Sequence, residues 1–336
     1  LKIKEKKSKE GLTMWKILSC SRLFGKIVTE PIEFLKEPDF LFLSNPYVGQ
    51  TLEEEQIIAL GTDANVLIVG TERVSRRVME SLKDLKIVVV HGVGVDNIDL
   101  KEATERKIFV ANAPGTNTEA VADLAFTLLL GVARKVIKAY QTVSANCWEN
   151  VIGYELYGKT LGLIGFGNIG KAIAKRAKGF DLKVLVYDPY VDAKQVEAFS
   201  AEVVAMEEIF AKSDFISLHA ALNEKTRKMI GKEQLSLMKR TAILVNTARG
   251  GLIDTQALID SLRNKEIAGA GLDVFDPEPP DGELFSGLDN VLISPHMGAF
   301  TYDALKRTGM IVTQNILDAY HGKTPSYLVN KEVLSK

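Results

Sequence analysis

"TLGLIGFGNIGKAIAKRAKGFDLKVLVYD", residues 160–188, decides the fold. An apolar run breaks into Gly165, Gly167 and Gly170 at G-x-G-x-x-G spacing, a helical period follows, and a second apolar run stops at Asp188. The first glycine allows a tight turn, the second lets backbone approach a pyrophosphate, and the third lets helix pack closely on strand. The amides that open the helix have no partner inside it and face the phosphates. Eighteen residues past Gly170, Asp188 stands where an acid accepts hydrogen bonds from an adenosine ribose. The same carboxylate would face the 2'-phosphate of NADP, a like-charge repulsion of about 4 kcal/mol at 4 Å and an effective dielectric near 20. NAD is therefore the expected cofactor.

Outward from this unit, short β-rich runs alternate with helical patterns, the signature of parallel sheets with crossover helices. Before it, strands are expected at "WKILSCS" (15–21), "DFLFLS" (39–44), "NVLIVG" (65–70), "KIVVVHG" (86–92) and "IFVANA" (108–113). From 160 onward, six follow: "TLGLIGFG", "KVLVYD", "FISLHA", "AILVNTARG", "GAGLDVF" and "NVLISPH". Between the two sets, "NTEAVADLAFTLLLGVARKVIKAYQTVSA" (117–145) reads as one long helix, apolar around more than one face. Such a helix needs cover on two sides, either inside one subunit or in a homodimer formed through residues 118–140. The helical tail from about Thr301 has no counterpart in the second sheet and is expected to return to the first unit. A chain of 336 residues is about twice an ordinary domain. The expected division is a flexible extension over 1–13, a discontinuous domain of 14–116 and 301–336, and a dinucleotide-binding domain of 117–300.

With 42 basic and 43 acidic side chains, the chain offers no electrostatic reason to bind nucleic acid or an anionic membrane. A few placed cations still suffice for a small anion. Cys20 and Cys147 lie far apart in no metal-type spacing, so both are expected as buried thiols, no metal is expected, and a reducing cytoplasm is the expected compartment. The longest apolar run, "LAFTLLLGVA" (124–133), falls well short of the roughly 18 residues that span a bilayer.

In open α/β sheets the ligand sits beyond the carboxyl ends of the strands. Three successive runs there deliver Arg249, Glu278 and His296. A guanidinium offers a planar fork for a carboxylate or carbonyl oxygen. An imidazole titrates near neutrality and can exchange a proton, and a carboxylate beside it favours its charged form and holds its orientation. Singly, each residue is more often structural. Together, behind a dinucleotide fingerprint, they form a catalytic set for hydride transfer. Of the other histidines, His321 is explained by a helix C-terminus, and His219 is expected near the cofactor. His91 precedes "GVGVDN" in the first unit.

The segments "HGVGVDNIDL", "GLIGFGNIG", "NTARGGLID", "GLDVFDPEP" and "SPHMGA" together resemble the D-isomer-specific 2-hydroxyacid dehydrogenases over roughly residues 14–330, with a layout most similar to the phosphoglycerate dehydrogenase branch. The resemblance implies two doubly wound parallel-sheet α/β domains, a Rossmann dinucleotide-binding domain and a flavodoxin-like substrate (lid) domain. It implies that Arg249 binds substrate, His296 donates and accepts the proton, and Glu278 supports it. It also implies cofactor contacts from Asn168 and Ile169 at the pyrophosphate, from Thr247, Ala248 and Gly298, and from Asp273 at the nicotinamide amide. The backbone at Val93 and Gly94 would hold the substrate carboxylate.

Three departures qualify the likeness. Ala221 stands in "HAAL" where the family commonly has His-x-Pro-Leu. Glu278 replaces the Gln of the related formate dehydrogenases and so speaks against that reaction. Gly70 and Val90 occupy the best matches to the basic residues that meet a substrate phosphate, which leaves Arg73, Arg76, Arg77 or His91 as substitutes; a solvated helix face is the plainer reading of the arginines. The expected activity is NAD-dependent interconversion of a D-2-hydroxy acid and its 2-oxo acid, phosphoglycerate dehydrogenase-like. The alternatives are a glyoxylate or hydroxypyruvate reductase and, from another class, an NAD(H)-sensing corepressor-type binding protein.

Overall fold

The computed structural model describes residues 13–335 apart from Glu37 and Val48. Apart from Thr13, the extension expected over 1–13 lies outside the described residues. The chain divides into two compact units, one running to Asn117 and resuming at Ala299, the other Thr118–Gly298.

The first unit holds five parallel strands, β1 (Trp15–Ser19), β2 (Phe40–Phe42), β3 (Val66–Val69), β4 (Ile87–Val90) and β5 (Phe109–Ala111). Their order is β2-β1-β3-β4-β5, that of a flavodoxin-like doubly wound sheet. The runs "VLIV" and "IVVV" of β3 and β4 are wholly buried, because helices cover a parallel sheet on both faces and the sequence loses its in-out alternation. The Tyr302–Tyr320 helix, capped by the Thr301 hydroxyl, belongs to this unit. Tyr320 packs edge-on to Trp15 at 5.4 Å, and a Cβ at Gly309 would lie 2.5 Å from Pro31 Cγ.

The second unit holds seven parallel strands. They are β6 (Thr160–Ile164), β7 (Lys183–Tyr187), β8 (Ala201–Val203), β9 (Phe215–Leu218), β10 (Ile243–Asn246), β11 (Gly269–Leu272) and β12 (Val291–Ile293). The order β12-β11-β10-β9-β6-β7-β8 reverses direction at β6, and the crevice between β6 and β9 is the switch point where a Rossmann sheet takes its ligand. β8 was not legible in the sequence: it is a three-residue edge strand with only Ala201 buried, too short and too wet to carry a pattern.

The expected single helix over 117–145 is two, Thr118–Ala133 and Val136–Ser144, with Lys135 left-handed at φ 49°. The Tyr154 amide donates to Ala133 O at 2.8 Å, taking the acceptor that a continuing helix would have offered to residue 137. Gly153 makes that crossing possible, since a Cβ there would lie 2.3 Å from the same carbonyl. The apolar face of Thr118–Ala133 is covered inside its own unit: Gly271 would clash with Leu128 Cβ at 2.8 Å if it carried a side chain. That answers the need for cover without a second subunit. Cys147, expected buried, is exposed, whereas Cys20 is buried. Among the described residues, no helix is long and apolar enough to cross a membrane.

Candidate active site

β10, β11 and β12 are hydrogen-bonded neighbours in register, with Asn246 opposite Leu272 and Leu272 opposite Ile293. Parallel neighbours end on one edge, so the loops after them converge. Arg249 opens the short 3-10 turn Gly250–Leu252 beyond β10. Gly250 is required here: a Cβ would lie 2.0 Å from the Phe275 carbonyl carbon, so the Arg249 turn rests directly on the backbone leading to Glu278. Asn246, fully buried, fixes that turn from below, its amide donating to Arg249 O at 2.9 Å and its oxygen accepting from the Ala248 amide at 3.0 Å. Sequence reasoning did not single out Asn246; its one signal is a polar residue at the end of an apolar strand.

Glu278 accepts the Phe275 amide on Oε1 at 2.9 Å and meets His296 Nδ1 with Oε2 at 2.8 Å. Burial alone would push the Glu278 carboxyl up. The His296 hydrogen bond and charge, the Phe275 amide and the nearby Arg249 guanidinium outweigh it and hold the group below its ordinary value. The acid is thus kept ionised, with its imidazole partner bound through Nδ1 and Nε2 left for chemistry. The guanidinium, carboxylate and imidazole are brought together as the sequence suggested.

His296 is a non-glycine residue at φ +51°, a conformation that costs about 1–2 kcal/mol. Asp273, only 1% exposed, holds it there: its carboxylate accepts from Ser294 Oγ at 2.6 Å, from the Met297 amide at 2.9 Å and from the Gly298 amide at 2.8 Å. Three of the roughly four acceptor positions of a carboxylate are therefore spent on the turn that aims the imidazole. The Gly298 amide is likewise occupied. Positioning the His296 turn is a role of Asp273 that no sequence motif announced.

The glycine loop fits a dinucleotide. Gly165 sits at φ +96° with the place of its missing Cβ 2.6 Å from the His219 carbonyl carbon, and a Cβ at Gly170 would lie 2.4 Å from Gly165 O. At Gly167 a Cβ would meet nothing within 4 Å, so this glycine faces open space, as a backbone that admits a pyrophosphate must. The Asn168–Ala177 helix starts there with no side-chain cap, leaving its first amides, at Asn168 and Ile169, for an anion. Asp188 accepts the Phe166 amide at 2.8 Å and the Tyr190 amide at 2.9 Å, which ties the glycine loop to the end of β7 and leaves one acceptor position on each oxygen. At the ends of β9 and β10, two buried polar atoms have no partner, Nδ1 of His219 and Oγ1 of Thr247. Burial pulls the His219 imidazole down to about 4, so it is neutral, and its Nε2 is paired with Ser217 Oγ at 2.9 Å. Orphaned polar groups at the switch-point edge are what a bound polar ligand satisfies.

The family described as "D-isomer specific 2-hydroxyacid dehydrogenase, NAD binding domain" matches residues 126–298. The chain belongs to the D-isomer specific 2-hydroxyacid dehydrogenase family. It is 44% identical over 313 residues to a glyoxylate reductase of Thermococcus litoralis, covering 90% of this chain and 92% of that one. It is 43% identical over 288 residues to a D-3-phosphoglycerate dehydrogenase of Methanocaldococcus jannaschii, covering 84% of this chain and 55% of that one. The crystal structure of an Aquifex aeolicus D-lactate dehydrogenase complexed with NAD and lactic acid superposes with a TM-score of 0.81 at 25% identity, over 94% of this chain and 99% of that one. The protein is an NAD-dependent oxidoreductase of this family.

Within the dehydrogenase's first unit, the amides of Val93 and Gly94 make no hydrogen bond among the described residues, while the Val93 carbonyl is held by Asn112 Nδ2 at 2.7 Å. His91 does not supply the cation that a phosphate needs. Its Nδ1 pairs with Ser21 Oγ at 3.0 Å, its ring stands edge-on to Phe24 at 5.5 Å, and burial pulls it down to about 4, so it is neutral at physiological pH. Arg73, Arg76 and Arg77 are solvent-facing and paired with Glu54, with Glu80 and Glu102, and with Glu55. They read as solvated surface side chains, Arg76 and Arg77 on the helix Arg76–Ser81 and Arg73 just before it, not as a phosphate site.

Proposed function

We propose that this dehydrogenase reduces a short 2-oxo acid, of the glyoxylate and hydroxypyruvate class, to its D-2-hydroxy acid. The 2.8 Å pairing of His296 with Glu278, beside Arg249, carries the reading. Arg249 orients the acid by its carboxylate or carbonyl oxygen. His296 gives its proton to the carbonyl oxygen in reduction and takes it back from the hydroxyl in oxidation. Glu278 holds Nδ1 and the ring plane. Bound NAD supplies the hydride acceptor and, once reduced, the hydride donor at C2 of the acid. It would be held by Gly165, Gly167, Asn168, Ile169 and Gly170 at the phosphates and by Asp188 at the ribose. His219, Thr247, Ala248 and Gly298 would also contact it, and Asp273 its nicotinamide amide. In the first unit, Val93 and Gly94 present amides suited to a carboxylate.

Supporting a short acid over a phosphorylated one are the likeness to glyoxylate reductases over nearly their whole length and the neutral state of His91. NADH oxidation by the purified protein with glyoxylate, hydroxypyruvate, pyruvate and 3-phosphohydroxypyruvate tests it. The expected result is the highest kcat/KM with one of the first two. A preference for 3-phosphohydroxypyruvate would restore the phosphoglycerate reading, and no turnover with any would leave a nucleotide-sensing role.

The enzyme is further proposed to act in the cytoplasm as a homodimer, with the interface moved from the 118–140 helix to Val136–Ser144 and the arm after it. The Val136–Ser144 helix buries none of its residues, and Tyr140 and Trp148 are 70% and 92% exposed. An apolar surface of that kind is self-complementary across a two-fold axis. Sedimentation at micromolar concentration should give twice the 36.9 kDa chain mass, and Val143→Glu should halve it; a wild-type monomer would remove the proposal.

A further inference from the structure

Arg249 and the Glu278–His296 pair stand on different loops of the second unit, and one residue touches both. A Cβ at Gly250 would fall on the carbonyl carbon, the carbonyl oxygen and the Cα of Phe275. The turn that presents Arg249 therefore lies bare on the Phe275 backbone, with no side chain between them to give way. On the other side, the Phe275 amide donates to Glu278 Oε1 at 2.9 Å, and Glu278 Oε2 meets His296 Nδ1 at 2.8 Å. A shift of the Arg249 turn displaces Phe275, and with it the amide that holds Glu278.

The Phe275 ring fixes this junction. Its edge-on partner is the buried Phe285, at 5.6 Å between ring centres, and it packs on the apolar cluster that holds Phe285 and Leu252 and also takes Ala248. Ala248 and Leu252 flank the Arg249 turn, so one cluster supports the turn and the ring alike. Asp276 is pinned to Arg227 at 2.9 Å, and Asp281 caps the 3-10 turn Gly282–Phe285 by accepting the Glu283 amide at 3.0 Å. Glu278 sits between these anchors with its side chain 31% exposed, so hydrogen bonds more than packing place its carboxylate. Core filling alone would ask only for an apolar side chain at 275. It calls for neither the bare contact with residue 250 nor the amide bond to Glu278.

We propose that Phe275 is a positioning residue that couples substrate engagement by Arg249 to proton transfer by His296, through its contact with Gly250 on one side and its amide bond to Glu278 on the other. This rests on the roles given above to Arg249 and His296 and names the residue that joins them. A 2-oxo acid that draws the Arg249 turn into place thereby steadies the carboxylate that aims the imidazole. Binding and chemistry are then not independent.

Steady-state kinetics of the full chain, with NADH and the best of the four 2-oxo acids above, test the coupling. Gly250→Ala drives a methyl group into the Phe275 backbone. Misplacing catalytic groups by about 1 Å costs on the order of 10²-fold in rate, so this change beside Arg249 should lower kcat by about tenfold or more as well as raise KM. Phe275→Leu keeps an apolar side chain but loses the edge-on contact with Phe285, and should lower kcat about fivefold. In a His296→Ala background the same substitution should cost less than about twofold in kcat, because a residue acting through the imidazole has nothing left to position. A purely structural loss would be the same in both backgrounds. An unchanged kcat in either single variant, or an equal kcat loss with and without His296, overturns the coupling. The Phe275→Leu cycle decides it even if Gly250→Ala fails to fold. Wild-type kcat in His296→Ala rejects the proton assignment instead.

Discussion

His296→Ala should lower kcat by a factor on the order of 10² to 10⁴, the range expected when a positioned general acid is removed. The variant retains the fold, because His296 contributes its backbone amide to Asp273 O and its side chain only to Glu278. The loss should therefore fall on kcat more than on KM, with NADH binding intact by fluorescence titration. The pH profile adds a second readout. Reduction consumes a proton held on the imidazole, so in the wild type its rate should fall as pH rises, while oxidation of the hydroxy acid should fall as pH drops. Glu278 stays ionised through both limbs, since its partners hold its carboxyl below the usual range. In His296→Ala both limbs should flatten. Wild-type turnover with unchanged pH dependence in this variant would reject the assignment of the proton to His296.

Arg249→Ala should lower kcat/KM by a factor on the order of 10² to 10³, because a charge-assisted bidentate contact is worth a few kcal/mol when water is excluded. Most of the effect should appear in KM. Arg249→Lys should recover only part of it, since an ammonium reproduces the charge but not the planar fork. The backbone that presents the guanidinium is fixed independently, by Asn246 on the Arg249 carbonyl and by the close approach of Gly250 to Phe275. A structural loss would instead lower the unfolding midpoint. Steady-state kinetics with the best 2-oxo acid separates the two, and a KM within twofold of the wild type would remove Arg249 from substrate binding.

Much of this site could be read one residue at a time. The glycine spacing is a local backbone requirement, and Gly165 at φ +96° meets it where the sequence placed it. Arg249, Glu278 and His296 could be grouped because parallel strands deliver their following loops to one edge, a rule that needs only strand direction. What could not be read depended on partners far along the chain. Asp273 and Gly298 also bond each other across 25 residues to hold the His296 turn, a role that no local pattern carries. His91 looked like a cation until burial near Phe24 and Ser21 made it neutral.

The amino-acid sequence by itself determined the two parallel α/β units, the dinucleotide loop and the grouping of Arg249, Glu278 and His296, because periodicity, glycine spacing and strand order are properties of short segments. Tertiary structure alone decided where the 117–145 helix breaks and which side chains are spent on positioning. Those outcomes turn on desolvation and on hydrogen bonds between residues distant in sequence, and neither is fixed until the chain has closed around them.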